Sequence, residues 1–157
     1  MIFWNPGFTQ SQWAARVSED LGTFEKNYLY PSVLRALNIN QSNEFNQLIE
    51  DISYIRVLRI DSAFMVKNQA VISEMGSALK VESFENIALW QESDGGTKTL
   101  FVKENKERIQ GFLAVIKDVD SLLIIEIVGD LNVKNLSALM NVDYGNFNEF
   151  VGLDLGL

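Results

Sequence analysis

Apolar positions along the chain recur with a helical period up to about residue 85 and with a period of two beyond it. Residues 1–22 scatter Trp4, Phe8 and Trp13 among polar and turn residues, which reads as a peripheral arm. Its aromatics either cover an edge of the core or face a partner. Thr23 to Tyr30 places Phe24, Tyr28 and Tyr30 on one parity and predicts a strand. Pro31 then opens a short helix to Asn38, because proline suits a first helical turn, where its missing N–H would have had no partner. Ser42 is a good N-cap, and Phe45, Leu48, Ile49 and Ile52 follow at i, i+3, i+4, i+7, the spacing of one helical face. Ile55 to Ile60 is short and β-rich. Asp61 and Ser62 cap another helix, in which Phe64, Val71, Met75 and Ala78 mark the apolar face.

From Glu85 onward, turn residues divide the chain into four strands: Asn86 to Glu92, Thr97 to Lys103, Ile109 to Ile116 and Ser121 to Val128. The connections predict an antiparallel meander. Asp94, Gly95 and Gly96 supply the positive-φ residues of a tight hairpin, Glu104 to Glu107 is a charged turn, and Asp118 and Asp120 flank the third bend. Leu122 to Val128 is apolar on both parities, which places that strand centrally with both faces covered. Asn132 caps a last helix carrying Val133, Leu136, Leu139 and Met140. No linker, repeat or low-complexity tract interrupts the pattern. The organisation is an arm over residues 1–22, one domain over 23–143 and a tail over 144–157. The fold class is α+β: a two-layer sandwich with a mixed, mostly antiparallel sheet, the helices at 42–54 and 63–80 on one face, and a ferredoxin-like architecture as the nearest relative.

A chain of 157 residues suffices for one core, burying roughly 70% of the unfolded chain's surface. A hydrophobic content of 47% with 22% charged residues is ordinary globular usage and argues against disorder. The formal charge of -8 repels phosphate backbones and anionic lipid, so nucleic acid is not an expected partner. No apolar run approaches the ~20 residues of a membrane-spanning helix.

Cysteine and histidine are both absent. That removes disulfides, thiol nucleophiles, Cys/His metal sites, histidine-based serine triads and the usual general base near neutral pH. Paired carboxylates remain: Glu92 with Asp94, Glu104 with Glu107, Asp118 with Asp120. All fall at bends, where solvated turn residues explain them without catalysis, since a catalytic carboxylate needs partial burial to shift its pKa. The expectation is that no acid or base is sequestered from water. Asp118 and Asp120 lack the glycine and distal glutamate of an EF-hand loop. Gly95 and Gly96 lack the lysine and helix of a phosphate cradle. No catalytic residue, metal or cofactor is assigned. The residues offered to a protein partner are Trp4, Trp13, Phe147 and Phe150.

The order and spacing of several segments resemble the bacterial family of domain of unknown function 4252, found mainly in Bacteroides-type organisms. The segments are Tyr30 to Arg35, Ile55 to Leu58, Lys98 to Lys103 as an edge strand, Ile124 to Asp130 with its Val128-Gly129-Asp130 ending, Leu136 and Leu139, and Phe150 to Leu153. The resemblance implies a small exported protein, often lipid-anchored through an N-terminal cysteine, with no assigned activity. Met1 to Gly7 contains neither an export signal nor a lipobox cysteine, so the chain as written would be cytoplasmic. The function expected on these grounds is a non-enzymatic interaction or ligand-binding module of the cell envelope, lipoprotein-like in class. The alternatives are a carboxylate-based hydrolase or lyase and a regulatory partner of a membrane-associated signalling system.

Overall fold

A computed structural model describes residues 10–20, 25–37 and 43–132. In chain order the elements are α1 (Gln12–Asp20), β1 (Glu25–Leu29), α2 (Pro31–Leu37), α3 (Asn43–Glu50), β2 (Ile52–Asp61), α4 (Ser62–Lys67), α5 (Gln69–Ser73), α6 (Met75–Val81), β3 (Glu85–Gln91), β4 (Thr97–Asn105), β5 (Arg108–Lys117) and β6 (Ser121–Asn132). Trp4, Phe8, Phe24, the Ser42 cap, the helix expected after Asn132 and the tail with Phe147 and Phe150 lie outside the described residues.

The local chemistry is legible at the element ends. Pro31 is the first residue of α2, as its fixed φ favours. The Asp61 carboxylate accepts the Phe64 N–H at 2.9 Å and caps α4. The helical pattern after it is broken into three short helices: Asn68 sits at φ -119, between α4 and α5, and Glu74 separates α5 from α6. At the β3–β4 hairpin Gly95 takes φ 93, while the Asp94 side chain accepts the Gly96 N–H at 3.0 Å.

All six strands form one sheet in the order β1-β2-β6-β5-β4-β3, and every neighbouring pair is antiparallel. The last four strands are the expected meander, but Lys98 to Lys103, expected at an edge, lies in β4 with β5 on one side and β3 paired along the other. β6, apolar on both parities, lies between β2 and β5 with both faces covered. Alternate residues of a strand point to opposite faces. One face therefore takes Ile55 and Val57 of β2 with Ile125 and Ile127 of β6, joined by Leu34 of α2 and Ile49 of α3. The other takes Leu58 and Ile60 with Leu122 and Ile124, joined by Trp13, Ala14 and Val17 of α1 and Leu79 of α6.

The α+β class and the antiparallel sheet are those the sequence predicts. Within that frame the helices divide: residues 43–50 cover one face and residues 62–81 the other. β2 and β6 carry large aliphatic side chains on both parities, and a layer on one side alone would leave half of them wet. The expected arm also differs. Residues 12–20 form a helix whose Trp13, Ala14 and Val17 are buried in the second core, so this stretch is part of the domain. Ile52, placed by its spacing on the preceding helix, begins β2 instead and packs in the same cluster as Ile49.

Candidate functional site

The most unusual interior feature is an ion pair. Arg56 of β2 and Glu126 of β6 are directly opposite in the register, on the face that α1 covers. Arg56 Nη2 lies 2.5 Å from Glu126 Oε2, with the two side chains 1% and 0% exposed. The pair holds the start of α1. The Ser11 N–H donates to Glu126 Oε1 at 2.6 Å, and Arg56 Nη2 donates to the Ser11 carbonyl at 3.4 Å. Ser11 Oγ accepts the Ala14 N–H at 3.1 Å, and the Glu82 carboxylate accepts the Gln12 and Trp13 N–H groups, each at 2.8 Å. Side-chain oxygens thus take up the N–H groups that a helix start leaves without intrahelical partners, and two carboxylates complement the positive end of its dipole. The Trp13 indole N–H donates to the Val71 carbonyl at 3.0 Å and ties α1 to the helical segment over the same face.

Burial pushes the Glu126 carboxyl up from its ordinary range, while the Arg56 guanidinium and the Ser11 N–H oppose that shift. Beside the pair, burial raises the Tyr54 hydroxyl, with the Glu126 charge acting in the same direction. Tyr54 belongs to a cluster with Tyr28 and Tyr30, ring centroids 5.8 to 6.5 Å apart. The sequence expectation that no acid is sequestered from water fails at Glu126. The sequestered acid stands in a strand instead of a bend, and its close partner is an arginine instead of a second carboxylate. A signal was present: Glu126 is the sole charge in Leu122 to Val128, and Arg56 sits between Ile55 and Val57. Two lone charges in strands buried on both faces must pair or remain unsatisfied.

The carboxylates expected at bends lie at or beside them, except that Glu104 is still within β4, paired with Ile109. Glu92, Asp94, Glu104, Glu107, Asp118 and Asp120 are all exposed, with Glu92 paired to Lys98 at 2.8 Å. No group of three or more acidic side chains suited to a metal ion occurs among the described residues. Trp13 is corrected as a partner residue: at 1% exposure its ring is core and presents no surface. Trp4, Phe147 and Phe150 lie outside the described residues.

The Val128-Gly129-Asp130 segment has a structural reading residue by residue. Val128 is fully buried. A Cβ on Gly129 would stand 2.1 Å from the Asp51 carbonyl oxygen, so the backbone that leads into β2 can cross here only above a glycine. The Asp130 N–H donates to that same carbonyl at 2.9 Å, and the Asp130 carboxylate accepts from Arg108 Nε at 3.0 Å. That carboxylate hydrogen bond holds the exposed Arg108 guanidinium above its ordinary pKa.

What the sheet leaves open is its β3 end. Among the described strands β3 has a neighbour on one side only. Ile87, Leu89 and Trp90 are 51%, 60% and 45% exposed. The opposite edge differs: β1 has five residues, of which Glu25 and Lys26 are charged, the combination that blunts edge-to-edge association. β3 has seven residues and no charge between Asn86 and Gln91. A β-bulge between Asn86 and Ala88 is its one irregularity.

These observations define an α+β domain in which the buried charges anchor a helix and an apolar edge strand is open to solvent. The chain belongs to the family described as Domain of unknown function (DUF4252), whose model matches residues 20–139. No curated protein and no solved structure matches it. No helix among the described residues is long and apolar enough to cross a membrane.

Proposed function

We propose that this protein is a non-enzymatic interaction module of the bacterial cell envelope, and that it takes its partner along β3. The observation that carries this reading is the edge strand itself. Soluble domains protect such edges with charge, proline, a bulge or a covering element; past its bulge, from Ala88 to Gln91, β3 carries none of these among the described residues, and such an apolar edge is the surface on which strand addition works: main-chain hydrogen bonds give affinity and alternate side chains give selectivity. Ile87, Leu89 and Trp90 supply those side chains. The charged interior supports the same reading, because Glu126 and Arg56 face each other and the start of α1 with no exposed surface. The envelope assignment rests on the family resemblance to exported, lipid-anchored proteins.

A photoreactive side chain at Leu89, expressed in the native organism, tests the reading. Cross-linked adducts in the envelope fraction are expected from position 89 and none from Val119, which is more exposed but lies at the β5–β6 bend. Equal labelling at both positions, or recovery of the protein in the cytosol alone, overturns it.

A further inference from the structure

We infer that the N-terminal segment, residues 1–9, closes the α1 side of the sheet by seating the Phe8 ring on Val128 and Gly111. The inference stands apart from the β3 reading, since its site lies on β2, β6 and β5.

Val128 shows that the place is covered. It is 0% exposed, yet it belongs to neither core cluster, whereas every other buried apolar side chain among the described residues belongs to one of the two. Its parity in β6 is that of Ile124 and Glu126, so it points to the side that α1 covers. In the register Val128 stands between Tyr54 of β2 and Gly111 of β5, and Gly111 in turn opposes Lys103 of β4. Across the sheet that row runs large, small, none, large. It leaves a dent two strands wide, roughly 10 Å, and Gly111 at its floor is buried as well. The neighbouring ion pair shows what kind of cover this is. Arg56 Nε is buried with no hydrogen-bond partner among the described residues, as an apolar cover would leave it; a polar one or water would have supplied an acceptor.

The start of α1 names the occupant. Ser11 is bonded to Glu126 and Arg56, one row before Val128, and α1 then packs in the cluster of Leu58, Ile60 and Ile124, which leaves Val128 out. The residues that precede Ser11 are therefore the nearest to the dent. Successive rows on one face are two residues apart, about 6.8 Å, and three residues of extended chain span up to about 10 Å. Phe8 thus reaches Val128 from Ser11. The segment also has the composition the site requires: Met1, Ile2, Phe3, Trp4 and Phe8 are apolar, and no side chain from 1 to 9 is charged. The chain after Asn132 is less well placed, because β6 carries it four residues beyond Val128, about 13 Å, before it can turn back.

The test uses the full chain, in which Val128→Cys introduces a single thiol because the sequence holds no cysteine. Alkylation of that thiol by iodoacetamide is expected to be slow, and to accelerate at least tenfold when Phe8→Ser is added. Phe147→Ser with Phe150→Ser, in the tail, should leave the rate unchanged. Val57→Cys, in the core of the opposite face, reports any general loosening and should keep its rate in the presence of Phe8→Ser. No acceleration at Val128→Cys, equal acceleration at both thiols, or acceleration by the tail substitutions instead overturns the assignment. A photoreactive phenylalanine analogue at position 8 keeps the ring and gives a second measurement. Intramolecular adducts with Tyr54, Gly111 or Val128, mapped by mass spectrometry, are expected; adducts confined to other parts of the sheet, or none, overturn it.

Discussion

Replacing Arg56 by methionine isolates what the buried pair does for the fold. The side chain it removes is 1% exposed and faces a carboxylate that is 0% exposed, so solvent screening does not soften the loss. Removing one member of such a pair leaves the other as an uncompensated buried charge, a cost of about 3 to 5 kcal/mol against a total stability of about 5 to 15 kcal/mol for a domain. The cost depends on pH. Burial already holds the Glu126 carboxyl above its ordinary range, and Arg56 is the main influence opposing it. Without Arg56 the folded-state value rises further. A carboxyl whose folded pKa exceeds its unfolded one contributes its stability fully below the unfolded value, and that contribution is lost as pH rises through the folded value. Urea unfolding followed by circular dichroism is therefore expected to show Arg56→Met strongly destabilised near pH 8 and less so near pH 5. The double variant Arg56→Met with Glu126→Leu removes both charges and leaves the Ser11 N–H unsatisfied, a cost of about 1 to 3 kcal/mol, and should be more stable than Arg56→Met alone. A single-variant cost below about 1 kcal/mol at neutral pH, a cost independent of pH, or a double variant less stable than the single would refute the argument.

Gly129→Ala is expected to lower stability by about 3 kcal/mol, because its Cβ would fall 2.1 Å from the Asp51 carbonyl oxygen, a backbone atom that cannot rotate away. Calorimetry should register a drop in Tm of about 6 to 12 °C. Lys106 and Glu107 form the two-residue turn between β4 and β5 at φ 49 and φ 67, a conformation that asparagine and glycine adopt far more readily. Lys106→Asn combined with Glu107→Gly should therefore raise the urea midpoint, by an equivalent of about 1 to 2 kcal/mol. An unchanged or lower midpoint would show that these side chains offset the strain in some other way.

The candidate site was only partly legible before folding. β3 could be read as a strand from its period, yet nothing in Glu85 to Gln91 says that it ends the sheet; its apolar residues look the same in an interior strand. Trp13 could be read only as an aromatic in a polar stretch, and packing against Leu79 and the Val71 carbonyl decided that it was core. Glu126 and Arg56 were visible as lone charges in apolar runs, but the runs are about seventy residues apart and their opposition depends on strand register.

By itself the sequence determined the local structure: the period-two strands from residue 85 onward, the Pro31 and Asp61 helix starts, the Gly95 hairpin and the central place of β6. These follow from interactions among residues a few positions apart, which the order of the chain already contains. Tertiary structure alone decided that α3 and α4 to α6 lie on opposite faces, that Gly129 passes beneath Asp51, that Arg56 meets Glu126 under α1, and that β3 stands at the edge. Those outcomes depend on which strands pair, and pairing is settled by the burial of apolar surface over the whole sheet.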